Sequence, residues 1–265
     1  MTDESTKRID ADVHPTRART AGRRVRSVLG ELLVVVIGAL IISSLLRAFV
    51  GQMFIIPSGS MQNTLQIDDR VVVSKISTYH RGDIVVFEDP ANWLQEEPVT
   101  PSAGRRVMEL IGVLPSSSTS HLVKRVIGLP GDHITCCDDQ GRMSVNGKAL
   151  DETAYLYVSP EGTQSRPSDF DFDVVVPAGR IFVMGDHRDM SGDSRCHLQD
   201  ITNDGQVEGM GAFVPQSKVV GPVVAIAAPF DRWTRFSVPD TFADVPDPSA
   251  AAPEQPTVSV TNPNC

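Results

Sequence analysis

The sequence is short of basic residues and lacks the common signatures of metal sites and of several hydrolase families. Its 265 residues include 24 Lys and Arg against 33 Asp and Glu, a formal net charge of −9. This deficit argues against a nucleic-acid partner. Neither CxxC nor HxxxH spacing occurs, so we expect no zinc site, no other metal and no cofactor. GxSxG and SxxK are also absent, which excludes the nucleophile elbow and the penicillin-binding pattern.

The charges that are present are distributed unevenly. Residues 1–30 hold seven Lys/Arg and four Asp/Glu, a sum of +3, whereas the remainder holds 17 and 29, a sum of −12. Hydrophobic residues make up 41% of the chain and charged residues 22%, so the protein is neither wholly disordered nor polytopic. We predict a basic, disordered cytoplasmic arm at residues 1–30 and an acidic body.

One long apolar stretch follows the basic arm. Fifteen residues from Leu32 to Leu46 carry no charge, and Arg47 can extend its head to the interface so that the stretch reaches Val50. At 1.5 Å per residue this covers about 28 Å, enough for a hydrocarbon core of roughly 30 Å. We predict a membrane anchor at residues 31–50, with the basic N-terminus in the cytoplasm and the body outside. A cleaved secretory signal and a buried core helix are the alternatives.

Beyond the anchor, short β-branched runs alternate with Gly, Pro, Asn and Asp, which predicts an all-β domain over residues 51–238. Asn146-Gly147 predicts a hairpin turn, because both central positions of a type I′ turn need φ > 0. Residues 89–120 and 198–212 are expected to be surface loops. Residues 239–265 hold six of the nineteen prolines and are expected to be a disordered tail. The predicted strands are 70–73, 83–87, 123–127, 143–145, 174–176, 180–184 and 219–227.

Four cysteines lie on the predicted outer side, where disulfides persist. Adjacent cysteines rarely bridge each other, because the intervening peptide would be strained. A bond from the Cys136/Cys137 pair to Cys196 is therefore the weakly preferred pairing. Free thiols or a link to Cys265 stay open, since a sequence does not give disulfide connectivity.

Two segments offer catalytic side chains. Ser58-Gly59-Ser60 follows the anchor directly, and the central Gly allows a tight turn that presents one hydroxyl, although most such tripeptides are only turns. Lys124 interrupts an apolar strand, on the face opposite Val123 and Arg125, where a solvated lysine is the ordinary interpretation. None of the six histidines has a recognisable nucleophile context, so Lys124 is the remaining candidate base. Its free pKa of about 10.4 would have to fall by about 3.4 units for neutrality near pH 7, a shift that burial can supply.

Together these stretches resemble bacterial type I signal peptidase, a Ser/Lys endopeptidase that removes signal peptides. The resemblance covers nearly the whole region from the anchor to about Val224. It implies a mainly β fold, in which an N-terminal transmembrane helix precedes an all-β catalytic domain with a β-ribbon insertion. It rests on four ordered segments: Ile56–Met61 (IPSGSM), Gly82–Phe87 (GDIVVF), Lys124–Asp132 (KRVIGLPGD) and Gly185–Arg195 (GDHRDMSGDSR).

The resemblance also implies roles for individual residues. Ser60 is the nucleophile and Lys124 the general base, while the Ser60 backbone N–H and the Ser58 hydroxyl form the oxyanion hole. Ser191 is expected to hydrogen-bond to Lys124 and orient it. The supporting residues are an Asp193–Arg195 ion pair and Asp186, and the expected pocket walls, for which core packing is an equal alternative, are Phe54, Ile56, Met61, Leu65 and Val123.

Two positions depart from the family pattern, since His187 and Met190 stand where Asn is more frequent. They affect none of the expected roles. A reading of this Asp/His-rich segment as a metal loop is poor, because its acidic spacing does not follow the calcium-loop pattern.

The implied activity is that of a membrane-bound serine endopeptidase cutting secretory preproteins after small-x-small, Ala-x-Ala-like sites. Its expected partners are these preproteins and membrane lipid. Three other functions remain open: a self-cleaving Ser/Lys peptidase of a stress-response regulator, an anchored β-domain that binds exported chains without cleaving them, and a structural envelope protein. Reaction of Ser60 with an acylating probe and the effect of replacing Ser60 or Lys124 distinguish the last two from an enzyme.

Overall fold

The computed structural model describes residues 28, 30–43, 51–94, 102, 104, 121–200 and 207–261. The chain divides into two compact units, Met1–Ser44 and Leu45–Cys265. In the first unit, residues 30–43 are helical. Within the described ranges, no helix has both the length and the apolar character needed to cross a membrane. Residues 1–27 of the predicted arm and 44–50 of the predicted anchor lie outside those ranges.

The second unit is mainly β, and its described strands form an eight-stranded and a five-stranded antiparallel sheet. The strands are β1 Gly51–Ile55, β2 Arg70–Ser74, β3 Ile84–Glu88, β4 His121–Gly128, β5 His133–Cys136, β6 Ser144–Val145, β7 Lys148–Ala149, β8 Phe172–Val175, β9 Arg180–Met184, β10 Val214–Pro215, β11 Val219–Ala228, β12 Thr234–Arg235 and β13 Thr257–Val260. All seven predicted strands coincide with observed ones, because continuous or alternating β-branched runs bury at least one face of a sheet.

The eight-stranded sheet has the order β1-β2-β11-β3-β4-β9-β10, with β12 paired to β11. β11 bridges β2 and β3 by means of register shifts along its length. One of these shifts lies at Gly221, where φ is +153° and an added Cβ would collide with the carbonyl oxygen of Ser74. A glycine is therefore needed for β11 to approach β2 this closely.

The five-stranded sheet has the order β13-β8-β5-β6-β7, and four of its strands are inserted between β4 and β9. The predicted hairpin turn is confirmed: Asn146 and Gly147 have φ of 50° and 79° and connect β6 to β7. An insertion is present as expected, but it forms part of a sheet that a strand from the C-terminal segment completes, rather than a simple ribbon.

The prediction of a disordered tail from residue 239 is wrong for residues 239–261. β13 pairs with β8 along its whole length, and Phe242 and Val245 are 5% and 8% exposed within the core under the five-stranded sheet. The prediction rested on the number of prolines and overlooked the few apolar side chains that pack this segment into the core. Pro is compatible with the extended conformations that the segment adopts between its anchoring points.

The predicted pairing of Cys136 or Cys137 with Cys196 is also wrong. Cys136 and Cys137 are joined to each other, and Cys196 is disulfide-bonded as well. None of the described cysteines is a free thiol. Adjacent disulfides are rare, and this rarity favoured Cys196 over the cysteine that lies nearest in the chain.

The two predicted loops are described only in part. Residues 89–94 leave β3 with Trp93 packed edge-on against Phe87, and most of residues 95–120 lie outside the described ranges. The 198–212 segment is not wholly a surface loop, since Leu198 and Ala212 are buried in the core.

Candidate active site

Ser60 and Lys124 lie 64 residues apart in sequence and meet in the structure. Ser60 belongs to the turn after β1, which is closed by a hydrogen bond from Gln62 N–H to the carbonyl of Gly59 (2.9 Å). Lys124 is in β4, where it pairs with Val85 of β3. Its Nζ donates to Ser60 Oγ at 2.5 Å. The two residues are 3% and 8% exposed, so this contact is largely shielded from water.

Burial determines the protonation of Lys124. Desolvation lowers its pKa to about 8, outweighing the carboxylates of Asp193 and Asp186, which raise the pKa, while Arg195 lowers it further. The ordinary interpretation of a solvated strand lysine is therefore not what the structure shows. An amine with a pKa of about 8 has a substantial neutral fraction near neutral pH, so it can accept a proton.

The next residue of β4, Arg125, is equally buried but keeps its charge. Its guanidinium forms two hydrogen bonds with Asp186 (2.8 and 2.6 Å) and donates to the carbonyl of Gly82 at 2.6 Å. The guanidinium carbon also lies 4.2 Å from the centre of the Tyr155 ring, a cation–π distance. Burial opposes the charge, but Asp186 outweighs it and raises the pKa of Arg125. Arg125, which is charged and paired with a carboxylate, thus directly follows Lys124, whose pKa is lowered, in the sequence.

Asp186 also connects Arg125 to the turn that carries Ser60. Thr64 Oγ1 donates to Asp186 Oδ2 at 2.5 Å, and Asn63 Nδ2 donates to the carbonyls of Tyr155 and Leu156 at 3.4 and 3.3 Å. The turn is therefore held from two sides, by the segment after β9 and by the insertion. These contacts place Asp186 between Arg125 and the turn.

The segment after β9 also brings Asp193, Arg195 and Ser191 to the site. Asp193 and Arg195 form the expected ion pair through two contacts of 2.9 Å, and Gly185 N–H donates to Asp193 Oδ2 at 3.0 Å. Burial acts to raise the pKa of Asp193, but the charge and hydrogen bond of Arg195 outweigh it and lower the pKa. Asp193 therefore stays ionised next to Lys124.

Ser191 does not form the expected hydrogen bond with Lys124. Its Oγ is buried and makes no hydrogen bond of ordinary geometry among the described residues, although it is close enough to the Asp193 carboxylate to help lower the pKa of Asp193. It lies close to Ser60 as well, because a Cβ added to Gly185 would collide with both Ser191 Oγ and the Ser60 carbonyl oxygen. Lys124 donates to Ser60 instead.

Ser58 is exposed, and its Oγ lies 3.4 Å from Ser60 Oγ. Both hydroxyls thus face the same side of the turn.

The expected pocket walls lie together beneath Ser60. Four of them, Phe54, Ile56, Met61 and Leu65, are at most 5% exposed and form one cluster with residues of β2, β3 and β11. Val123 is half-buried at the margin of this cluster. Core packing therefore accounts for the four buried residues in this structure. Among the five expected wall residues, Val123 is the one with exposed surface that a substrate could contact.

Several contributors were not identified from the sequence. Glu152 accepts from Arg188 at 2.5 Å and from the Tyr155 hydroxyl at 2.7 Å, and all three residues are buried. Thr64 lies only three residues after the IPSGSM segment and could have been suspected. Nothing in the sequence signals the pairing of Glu152 with Arg188 across 36 residues. Within the described ranges, no group of His, Cys, Asp and Glu residues is placed to hold a metal ion.

The family model for signal peptidase, peptidase S26, matches residues 29–228. The chain belongs to the signal peptidase family, peptidase S26. The protein is 33% identical over 229 residues to signal peptidase I of Mycobacterium tuberculosis, covering 78% of this chain and 75% of that protein. It is 32% identical over 255 residues to a probable signal peptidase I of Mycobacterium leprae, covering 84% and 86%. A third relative, signal peptidase I U of Bacillus subtilis, is 32% identical over 178 residues, covering 65% and 79%. The protein is a signal peptidase, and the bacterial type I family suggested by its sequence motifs is confirmed.

Proposed function

We propose that this signal peptidase cleaves secretory preproteins after small-x-small, Ala-x-Ala-like sites, with Ser60 as the nucleophile and Lys124 as the general base. The observation that carries the proposal is the 2.5 Å contact between Lys124 Nζ and Ser60 Oγ. The lysine is buried and its pKa is lowered to about 8. A neutral amine in hydrogen-bond contact with a hydroxyl has the geometry and the basicity that general-base activation needs.

The reaction follows from these positions. Lys124 takes the Ser60 proton while Oγ attacks the scissile carbonyl carbon, and the resulting oxyanion accepts hydrogen bonds from the Ser58 hydroxyl and the Ser60 backbone N–H. The Lys124 ammonium returns the proton to the leaving amine, the C–N bond breaks, and an acyl-enzyme ester remains. Lys124 then takes a proton from water while the water oxygen attacks the ester carbon. The Lys124 ammonium returns the proton to Ser60 Oγ as the ester C–O bond breaks, which releases the carboxylic acid product and restores Ser60.

Ser191 gains a partner during this cycle. Its buried hydroxyl lies near Asp193 but makes no hydrogen bond of ordinary geometry among the described residues, so its oxygen can accept one from the Lys124 ammonium after Ser60 has given up its proton. The Asp193–Arg195 pair holds this segment, since Asp193 also accepts from the backbone of Gly185. These groups support the charged form of Lys124 at the stage when that form is needed.

The substrate is proposed to bind as an extended strand beside β1, which lies at one end of the described strand order. A strand at an edge offers unpaired backbone groups to an added peptide. Small side chains before the cut would face Val123 and the margin of the cluster formed by Phe54 and Ile56. Because that cluster is tightly packed, we expect the space beside it to admit only small side chains, of about the size of Ala.

We propose that the protein is a single-pass membrane protein, anchored by residues 31–50, with a cytoplasmic N-terminus and an extracytoplasmic catalytic domain. The charge asymmetry along the sequence supports this orientation. Two aromatic side chains that follow β11, Phe230 and Trp233, are 87% and 62% exposed, and aromatic residues of this kind favour membrane interfaces. The net charge of −12 over residues 31–265 disfavours a nucleic-acid partner.

The test is cleavage of a preprotein carrying an Ala-x-Ala site by the purified full-length protein in detergent. We expect a new N-terminus directly after the site with the wild-type protein and with Ser77→Ala, which replaces an exposed serine of the same sheet region. Ser60→Ala should give no detectable product. Cleavage by Ser60→Ala at the wild-type rate would end the proposal, and so would a new N-terminus elsewhere in the preprotein.

A further inference from the structure

One histidine contacts the nucleophile turn and has no role in the reaction described above. His187 is 5% exposed and stands where the family more often has Asn. Its backbone N–H donates to the carbonyl of Ser60 at 3.1 Å. Its ring Nδ1–H donates to Oε1 of Gln62 at 3.0 Å. The residue thus contacts the turn through both its backbone and its side chain.

The Gln62 side chain lies directly against the turn. A Cβ added to Gly59 would come within 3.1 Å of both Cδ and Oε1 of Gln62, a separation tighter than an ordinary van der Waals contact. The backbone N–H of Gln62 also donates to the Gly59 carbonyl. The Gln62 amide therefore covers the peptide that connects Ser58 to Ser60, and its position limits how this peptide can move.

The His187 ring is itself held in place. It stacks on Tyr157 with the ring centres 3.7 Å apart and the planes at 23°. Tyr157 is fixed by two backbone hydrogen bonds, one from its N–H to the Asp186 carbonyl (3.0 Å) and one from Ser165 N–H to its own carbonyl (2.8 Å). A continuous line of contacts thus runs from the insertion through Tyr157, His187 and Gln62 to the nucleophile.

We propose that His187 is a positioning residue for Ser60: stacked on Tyr157 and bonded to Gln62, it holds the Gly59–Ser60 peptide so that Ser60 Oγ faces Lys124. This inference rests on the proposed function. It concerns the nucleophile rather than the bound peptide, so it predicts an effect on kcat with little change in KM. The geometry of a nucleophile must be held closely, because small displacements cost large factors in rate.

The test compares His187→Phe, Gln62→Met and the double variant in the full-length protein. Phe keeps a ring that can stack on Tyr157 and removes the hydrogen bond, while Met has nearly the size of Gln without its polar atoms. We expect each single variant to lower kcat about tenfold and KM to stay within about twofold. The double variant should lose no more than the larger single loss, because both changes remove the same contact.

Two further readouts separate positioning from a merely structural role. A loosened turn lets water reach Lys124, and since burial is what lowers the lysine pKa, the acid limb of the pH–kcat profile should move to higher pH in His187→Phe. His187→Asn restores a side-chain donor and should recover part of kcat. The matched control is His133→Phe, which removes a hydrogen bond to Asp173 on the five-stranded sheet and should leave both kcat and the acid limb unchanged.

The outcomes are distinct. The inference is overturned if His187→Phe has the wild-type kcat and an unmoved acid limb, or if the losses in the double variant are additive. The proposed function still stands in that case, provided that cleavage by the wild type depends on Ser60. If the wild type does not cleave, or if Ser60→Ala does, both are overturned. If His187→Phe does not fold, Gln62→Met decides alone, because Gln62 is only half-buried and its replacement disturbs the fold less. An unchanged kcat in the folded Gln62→Met variant then overturns the inference.

Discussion

The two sheets of this signal peptidase differ in how they are built and in what they carry. The eight-stranded sheet contains continuous β-branched runs such as those of β3 and β11, and it positions both Ser60 and Lys124. The five-stranded sheet uses strands of two to four residues and is completed by β13 from the C-terminal segment. The insertion that forms most of it nevertheless sends Tyr155 and Glu152 towards the site. The eight-stranded sheet thus holds Ser60 and Lys124, the proposed reacting residues, and the insertion supports the segments around them.

The two regions share an apolar core, and charged and polar contacts also cross between them. Arg125 of β4 stacks on Tyr155, Asn63 of the nucleophile turn donates to backbone carbonyls of the insertion, and Arg188 pairs with Glu152. Buried charges of this kind are costly when one partner is lost. We therefore predict three kinds of effect. Substitutions of the proposed reacting residues on the eight-stranded sheet remove activity, and substitutions at the junction between this sheet and the insertion reduce stability. Substitutions of exposed residues far from the junction do neither.

The largest effect is expected for Lys124→Ala, compared with Lys148→Ala. Both lysines lie on strands, but Lys124 is buried beside Ser60 and Lys148 is exposed on β7. Loss of the base should lower kcat by about four orders of magnitude, in line with the removal of one member of a catalytic unit. Lys148→Ala should cleave normally. Peptide-cleavage kinetics measure this, and comparable losses in both variants would contradict the division between the sheets.

Asp186→Asn should cause the next largest effect, a loss of stability. It leaves the buried Arg125 charge without its carboxylate, at a cost of about 3–5 kcal/mol in the free energy of unfolding. Asp173→Asn is the control, because Asp173 is half-exposed and pairs with His133 at the surface, where an ion pair contributes at most about 1 kcal/mol. Urea denaturation followed by circular dichroism measures both. Equal free energies of unfolding for the two variants would show that the junction is not the braced region.

A smaller effect is expected from Phe242→Ala in the C-terminal segment. The Phe242 side chain is 5% exposed and packs against Gly82, where a Cβ would come within 2.6 Å of its ring. Truncation should lower the free energy of unfolding by about 3 kcal/mol, near the low end for a buried Phe, while kcat of the folded protein stays within about threefold. Phe230→Ala, at an exposed ring, should leave the unfolding midpoint unchanged. An equally stable Phe242→Ala variant would show that the segment is not part of the core.

The smallest expected effect is the pH dependence of kcat, which should change about tenfold for each pH unit below the pKa of Lys124. The rate should rise as pH increases towards about 8, where Lys124 loses its proton, and then level off, because the neutral amine is the active base. Arg125 stays charged throughout this range. An acid limb near 10.4, the value of a free lysine, would show that Lys124 is not desolvated in the working enzyme.

Much of the first sheet could be predicted from the sequence. The runs around Val71, Val85, Val126 and Val183 carry their own β propensity, and the Asn146-Gly147 turn follows from a local backbone requirement. The sequence did not predict β1, β5, β7, β10, β12 and β13. All of these but β1 have only two to four residues, too few to establish a period. The C-terminal segment was misassigned for a related reason, since composition averages over the few side chains that dock.

The sequence by itself determined the order of the four motifs, and with it the family, and it singled out Ser60 and Lys124 as the residues for which we propose catalytic roles. Tertiary structure alone decided which buried cation on β4 stays charged. Lys124 and Arg125 are neighbours with the same local context, yet one meets a hydroxyl and the other meets Asp186, 61 residues away. A pKa depends on the desolvation and the charges that distant segments bring together, and neither is encoded in the residues adjacent to the lysine.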